Sequence, residues 1–300
     1  MKNNICAVVV TYNRIKLLKE CIDSLRKQTK NLDGIIVVNN NSNDGTKEWL
    51  ALQNDISALH QENLGGAGGF FNGINSAYNK GYNWIWCMDD DCLPETDALE
   101  KLFCTEYKTN VLLNSVVVDK TNPKNLTFGL NDAVNKKFYK YFDEIKNINL
   151  INTANLFNGT LIHKNVIENV GLPNPKFFIY GDDYEYFLRI KKSNTAIFTV
   201  TASVVKHPPQ RHIYFGKWKF FYRINHFNLL GVKYFPRNIS AIWYFYEEFT
   251  FRRLLKTYFY DLIGILIIQK NISFFIQYIY SISKAPAFIK ELKTGNNSLG

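Results

Sequence analysis

Tyr82-Asn-Trp-Ile-Trp-Cys-Met-Asp-Asp-Asp91 decides how this 300-residue chain reads. A run as apolar as residues 82–88 fits a strand buried on both faces, so Asp89, Asp90 and Asp91 stand where that strand leaves the core. Carboxylates packed that closely repel, and each raises its neighbour's pKa unless a cation intervenes. An all-oxygen set suits a hard ion such as Mg²⁺ or Mn²⁺, often shared with substrate phosphates. A solvated acidic turn is the plainer reading of an isolated triplet. Position separates the two, because two earlier strand ends are polar in the same way.

Working outward, residues 5–10 are a β-branched run that fits a buried parallel strand. Residues 15–28 carry Leu17, Leu18, Cys21, Ile22 and Leu25 at helical spacing. A second buried strand follows at 34–38, a second helix at 46–53 and a short strand at 56–59. A glycine-rich turn then leads to a helix from about Phe70. Strands alternating with helices imply right-handed βαβ units, hence an α/β domain with a mostly parallel sheet flanked by helices. Ligands bind such sheets beyond the carboxyl ends of the strands. Thr11-Tyr12-Asn13-Arg14, the run from Asn39 to Asp44 and the acid triplet all fall there. Residues 119–150, polar and rich in Asn and Lys, read as a variable insertion.

Hydrophobic content of 46% and a mean hydropathy of −0.19 describe a soluble core, not a polytopic membrane protein. Five cysteines without a CxxC pair read as buried hydrophobes of a reducing compartment, not as a disulfide frame or zinc site. Lys2 follows Met1 directly and no signal-peptide pattern appears, so a cytoplasmic location is expected.

Asn63-Leu-Gly-Gly-Ala-Gly-Gly-Phe70 puts four glycines in five positions, where backbone could approach a ligand and the next helix could aim amides at an anion. It is neither a P-loop nor the dinucleotide pattern, and a tight packed turn explains it equally. The run Asn39 to Thr46 is a turn with a helix cap, or a set of amides and a carboxylate for a nucleoside. Asp182 and Asp183 open an amphipathic helix. One acid there is an ordinary cap, and a spare one in a cleft is a general-base candidate. Glu185 could serve the acceptor or the helix, and His207 ends an apolar strand.

Taken together, these segments resemble the inverting nucleotide-sugar glycosyltransferases of family 2, which have the GT-A fold. The similarity spans roughly residues 5–230. Residues 8–14 resemble that family's opening strand and Asn41 to Thr46 its nucleoside loop. The resemblance implies metal ligation by Asp89, Asp91 and His207, with Mn²⁺ or Mg²⁺ as cofactor and Asp90 turned to the ribose or sugar. It implies Asp183 as catalytic base beside Asp182. Thr11, Tyr12, Arg14, Asn40, Asp44, Asn63 and Gly66 become donor contacts, and Asn158, Gly159 and Glu185 contacts for sugar or acceptor. Asn39 and Asn40 stand where many members have at least one Asp, which moves the base contact toward Asp44 and Asn40. Residues 63–70 and Gly171-Leu-Pro-x-Pro-x-Phe-Phe-Ile179 are similar to the galactofuranosyltransferase branch, with polysaccharide rhamnosyltransferases close by; Tyr222-Arg223-x-Asn225 resembles a tract common to both. The donor implied is UDP-galactofuranose, with a dTDP-rhamnose-type donor as runner-up.

Residues 1–212 thus read as the GT-A domain and 213–300 as a helical region. There Lys and Arg interleave with aromatics, as in the tract from Tyr214 to Arg223. Such helices either lie on a membrane surface, near a lipid-linked glycan acceptor, or pack on the core. Nucleic acid is the obvious rival partner for a charge of +10, but it gives the paired carboxylates no role. A catalytically dead glycan-binding protein on the same fold is the second rival.

Overall fold

The computed structural model describes residues 4–104, 106, 109–209, 212–215, 222–246 and 250–294. The chain divides into two units, Met1–Pro175 with Tyr186–Pro209, and Lys176–Glu185 with Gln210–Gly300.

The first unit begins β1 (Ile5–Thr11), α1 (Ile15–Arg26), β2 (Gly34–Asn39), α2 (Thr46–Ala51), β3 (Ile56–His60), α3 (Gly65–Asn79) and β4 (Trp84–Asp89). It continues through β5 (Leu93–Pro94), α4 (Ala98–Phe103), β6 (Val111–Asp119), β7 (Asn125–Asp132), β8 (Lys137–Tyr141), β9 (Leu150–Ile151), β10 (Asn158–His163) and α5 (Lys164–Val170). Helix α6 (Asp182–Lys192), whose residues up to Glu185 count with the second unit, and β11 (Ala196–His207) follow.

The main sheet runs β3-β2-β1-β4-β10-β6-β11-β5. Strands β3, β2, β1 and β4 are parallel, β10 runs antiparallel between β4 and β6, and β11 is parallel to β6. The period-2 alternation of a strand sorts β1 between two cores. Ile5, Ala7 and Val9 pack with Leu18, Cys21, Ile22 and Leu25 of α1, while Cys6, Val8 and Val10 pack with Phe70, Ile74 and Ala77 of α3. Residues 84–88 are buried throughout, as their composition requires.

Two expectations are corrected, on the glycine run and Cys104, and the segment expected as an insertion takes a definite form. The glycine run is no turn, because α3 begins at Gly65. A Cβ on Gly69 or Gly73 would lie 2.4 Å from a methyl of Val10 or Val8, so the glycines let α3 press against β1. Residues 119–150 carry the β7–β8 hairpin, whose Leu126, Leu130 and Tyr139 join Val116, Val118 and Ile145 in a cluster of their own. Cys104 is exposed, unlike the four buried cysteines.

The second unit holds a hairpin of β12 (His212–Phe215) and β13 (Tyr222–Asn225), then α7 (Leu229–Tyr246), α8 (Phe251–Ile263), a π-turn (Gly264–Ile268) and α9 (Ile272–Thr294). Phe227, Val232, Leu254, Tyr258, Ile265 and Tyr278 form its core. Residues 216–221 of the aromatic tract, and the side chains of residues 222–224, lie outside the described residues. Among the described residues no helix is long and apolar enough to cross a membrane.

Candidate active site

Parallel register brings the carboxyl ends of three strands together, with Thr11 beside Asn39 and Val10 beside Asp89. The Thr11 hydroxyl donates to Asp90 Oδ2 at 2.7 Å, and Arg14 Nη1 donates to Asp90 Oδ1 at 3.2 Å and to Asp91 Oδ2 at 2.9 Å. Asp90 is only 2% exposed. The expectation that it faces the donor is therefore corrected: its carboxylate turns inward, where a protein hydroxyl and a guanidinium satisfy it. Burial pushes its carboxyl up to about 6, against the pull of Arg14 and Thr11. For Asp91 burial also pushes upward, but His207 and Arg14 outweigh it and hold this carboxyl below its ordinary value.

His207 reaches Asp91 through strand pairing. Lys206 of β11 lies opposite Leu93 of β5, two residues after the triplet. His207 Nε2 stands 3.2 Å from the buried Asp91 Oδ1, at ion-pair distance, and among the described residues no other group bonds that oxygen. Nδ1 lies 2.6 Å from the Pro208 carbonyl, and because a carbonyl only accepts, Nδ1 carries the proton. In the neutral ring Nε2 is then a lone pair facing a carboxylate oxygen, an arrangement that calls for a cation or a second proton between them. A ring nitrogen donating to a backbone carbonyl while the other faces a cation is the usual support of a metal-bound histidine. Asp89 is tied through its backbone, its amide donating to the Phe157 carbonyl at 3.0 Å. Among the described residues no group of three or more His, Cys, Asp or Glu closes into a cation site. The structure thus joins Asp91 and His207 but does not add Asp89 as a third ligand.

The residues expected to meet the nucleoside are engaged within the protein. Asn40 Nδ2 donates to the Gly65 carbonyl at 3.0 Å, and its Oδ1 accepts from Gln61 at 2.6 Å. Asp44 accepts from the Ile15 amide at 2.8 Å and the Thr46 hydroxyl at 2.6 Å, which fixes the loop to the first turns of α1 and α2. Asn63 Oδ1 accepts from the Gly65 amide at 3.0 Å, and Gly66 lies in the first turn of α3. Tyr12, 46% exposed, is the open side chain of this group. Asn158 is buried and donates to the Leu156 carbonyl at 2.9 Å. Gly159, at φ +91°, forms a bulge in β10 where a Cβ would meet Val205 at 2.7 Å.

In the second unit Asp182, Asp183 and Glu185 occupy the first turn of α6. Asp182 and Glu185 are buried, while Asp183 is exposed and accepts from the Tyr184 amide at 2.8 Å. Burial first, and the neighbouring Asp183 charge second, push the Asp182 carboxyl well above its ordinary range. The Tyr246 hydroxyl donates to Glu185 Oε1 at 2.6 Å. Sequence reading gave no role to Tyr246 or to Asn238, the 0%-exposed Asn of α7. An amide inside so aromatic a helix was the signal that could have found the latter.

Residues 6–171 match glycosyl transferase family 2. The chain belongs to that family. This glycosyltransferase is 31% identical over 215 residues to galactofuranosyltransferase GlfT1 of Mycolicibacterium smegmatis, covering 68% of this chain and 70% of that protein. It is 28% identical over 197 residues to the dTDP-rhamnosyl transferase RfbF of Shigella flexneri, covering 63% and 64%. Two solved structures share its GT-A fold. GalNAc-T7 with UDP, GalNAc and Mn²⁺ gives a TM-score of 0.58 at 14% identity, over 99% of this chain and 58% of that one. TarS of S. aureus gives 0.59 at 11%, over 95% and 49%.

Proposed function

We propose that this glycosyltransferase moves galactofuranose from UDP-galactofuranose onto a lipid-linked glycan acceptor, with inversion, in cell-surface polysaccharide synthesis. The observation that carries the reading is the buried Asp91 Oδ1 facing His207 Nε2 at 3.2 Å, beyond the carboxyl ends of the parallel strands β1, β2 and β4. Oxygen and imidazole donors there suit Mn²⁺ or Mg²⁺. Asp89, Asp91 and His207 would hold the ion, which supplies charge neutralisation at the donor diphosphate. The GlfT1 likeness supports the sugar. The RfbF likeness supports a second reading, a dTDP-rhamnose-type donor.

Thr11 and Asp90 anchor Arg14, whose half-exposed guanidinium attracts the diphosphate. Tyr12 frames the nucleoside, on a surface that Asn40, Asp44, Asn63 and Gly66 keep in shape. Asp183 takes the proton of an acceptor hydroxyl. That oxygen bonds to the anomeric carbon from the face opposite the nucleotide, the bond from carbon to diphosphate oxygen breaks, and the nucleoside diphosphate leaves with the electron pair. Burial and the Asp183 charge favour a proton on Asp182, and desolvation of its carboxyl raises Asp183 as well, which suits a carboxylate that accepts a proton. Asn158, Gly159 and Glu185 shape the sugar and acceptor side.

Nucleoside diphosphate release, measured with UDP-galactofuranose, UDP-galactose and dTDP-rhamnose with and without Mn²⁺, tests the reading. Asp183→Asn should lower transfer by about 100- to 10,000-fold and leave UDP binding intact; release from no donor, or full turnover by the variant, refutes it.

Attachment to the inner face of the cell membrane belongs to the same reading. Phe251, Leu255 and Phe259 form an exposed i, i+4, i+8 row on α8, beside exposed Arg252 and Lys256. Ile272, Ile276 and Ile279 form another on α9. Such rows suit an interface bearing anionic lipid. Flotation with phosphatidylglycerol vesicles should carry the protein upward at low salt, and failure to float refutes attachment.

A further inference from the structure

Helix α7 carries Tyr234, Asn238, Ile242 and Tyr246 at four-residue intervals, which align as one ridge. That ridge meets residues 178–185 in order. Tyr234 stacks on Phe178 with centroids 4.5 Å apart. Asn238 Nδ2 lies 2.9 Å, 3.0 Å and 2.9 Å from the carbonyls of Phe177, Ile179 and Tyr180. Ile242 approaches Gly181, where a Cβ would stand 3.1 Å from its Cδ1. Tyr246 donates to Glu185.

The orientation of the Asn238 amide is fixed, because Oδ1 accepts from Arg237 Nε at 3.0 Å and only Nδ2 can face the carbonyls. Arg237 also donates to the Lys176 carbonyl at 2.8 Å, at the start of the segment. The backbone held this way is unfavourable by itself: Phe178 and Tyr180 have φ of 66° and 64°, and Gly181 has 95°. Non-glycine residues at positive φ persist where surrounding structure dictates them, and such strain collects at functional sites. Here the dictating group is a single fully buried amide that gathers three carbonyls immediately before Asp182-Asp183.

We infer that Asn238 is a positioning residue for Asp183, its amide setting the carbonyl path of residues 177–181 and so the direction in which the following turn presents that carboxylate. The inference rests on the reading of Asp183 as the base, and it assigns α7 a part in the reaction that no motif marks. Misplacement of a reacting group by about 1 Å costs on the order of 100-fold in rate.

The test compares Asn238→Ala, Asp183→Asn and the double variant, using release of UDP from UDP-galactofuranose, or of dTDP from dTDP-rhamnose where the wild type turns that over. UDP affinity is measured by calorimetry in Mn²⁺. Asn238→Ala should lower kcat about 100-fold while donor KM and UDP affinity stay within about twofold. It should add no further loss on the Asp183→Asn background. Equal falls in kcat and UDP affinity, or full additivity in the double variant, would mean a merely structural role and overturn the inference. An active Asp183→Asn variant would instead remove the base assignment, so the two failures are distinguishable. Where Asn238→Ala does not fold, Tyr246→Phe removes one hydroxyl from the same ridge. It should lower kcat with donor KM unchanged; an unaltered kcat counts against the template.

Discussion

Asp261 of α8 is 3% exposed and accepts from the Tyr278 hydroxyl at 2.6 Å and from Asn225 Nδ2 at 3.2 Å. Two neutral donors do not compensate a buried charge. Burial pushes its carboxyl up to about 7, although both hydrogen bonds pull it down. In the unfolded chain it titrates near its ordinary value of 3.8. Between those two values the folded protein binds a proton that the unfolded chain has lost, so stability falls as pH rises through this window and is level above it. Each pH unit is worth about 1.4 kcal/mol. From pH 5 to pH 7 the loss is therefore roughly 3 kcal/mol, carried by the second unit. Asp261→Asn keeps an acceptor for Tyr278, and a turned Asn225 amide meets the new NH₂. The variant should match the wild type below about pH 4 and exceed it by roughly 4 kcal/mol at pH 8, a difference on the order of 20 °C in melting temperature for a unit of this size. Differential scanning fluorimetry at half-unit pH steps measures the difference curve, which cancels the other titrating groups. Parallel wild-type and variant curves from pH 5 to pH 8 would show that Asp261 is not neutral in the folded state.

Gly73→Ala should destabilise by about 1–3 kcal/mol in urea titration, because its Cβ would sit 2.4 Å from Val8 Cγ1 in a filled core. His207→Ala and Asp91→Asn should each lower Mn²⁺-dependent UDP release at least about 100-fold while leaving metal-free UDP affinity nearly unchanged, as seen by calorimetry. Arg14→Ala should raise donor KM and enlarge the rise in melting temperature produced by Mn²⁺. An unchanged rise would mean that Arg14 and the cation do not share the Asp90–Asp91 pair.

Strands β1, β2 and β4 were legible because both faces of each are buried, which leaves unbroken apolar runs in the sequence. The polar strand ends were legible for the converse reason. The glycine run was misread because glycine signals a turn locally, whereas its purpose here is the close approach of α3 to Val8 and Val10 of another strand. The β7–β8 hairpin escaped because Lys137, Phe138, Lys140 and Tyr141 of β8 are exposed, leaving Tyr139 as the buried signal. His207 could be named beforehand from its place at the end of an apolar strand, and its pairing with the triplet came from family resemblance. Its proximity to Asp91 depends on the β5–β11 pairing, a contact more than 100 residues apart in the chain. Asn238 depends on tertiary structure in the same way, since Pro236-Arg-Asn-Ile-Ser240 gives no hint that three carbonyls converge on its amide.

The acid triplet shows how neighbours divide three identical side chains. Asp90 turns inward, and its burial favours the protonated form. Asp91 is held ionised, with one oxygen on Arg14 and the other facing His207. Arg14 serves both acids, yet its side chain is 51% exposed. Its partners are only 4% and 13% exposed, so the guanidinium is held on one side and open to a further anion on the other. A divalent ion reaching Asp91 Oδ1 need not displace Arg14, which sits on Oδ2. It weakens Arg14's hold instead, because the carboxylate's charge is then shared. An arginine loosened in this way would be open to a new anion, and on the proposed function that anion is the donor's diphosphate. On the proposed function, the triplet, Arg14 and a bound cation would form one electrostatic unit in which metal and diphosphate assist each other's binding.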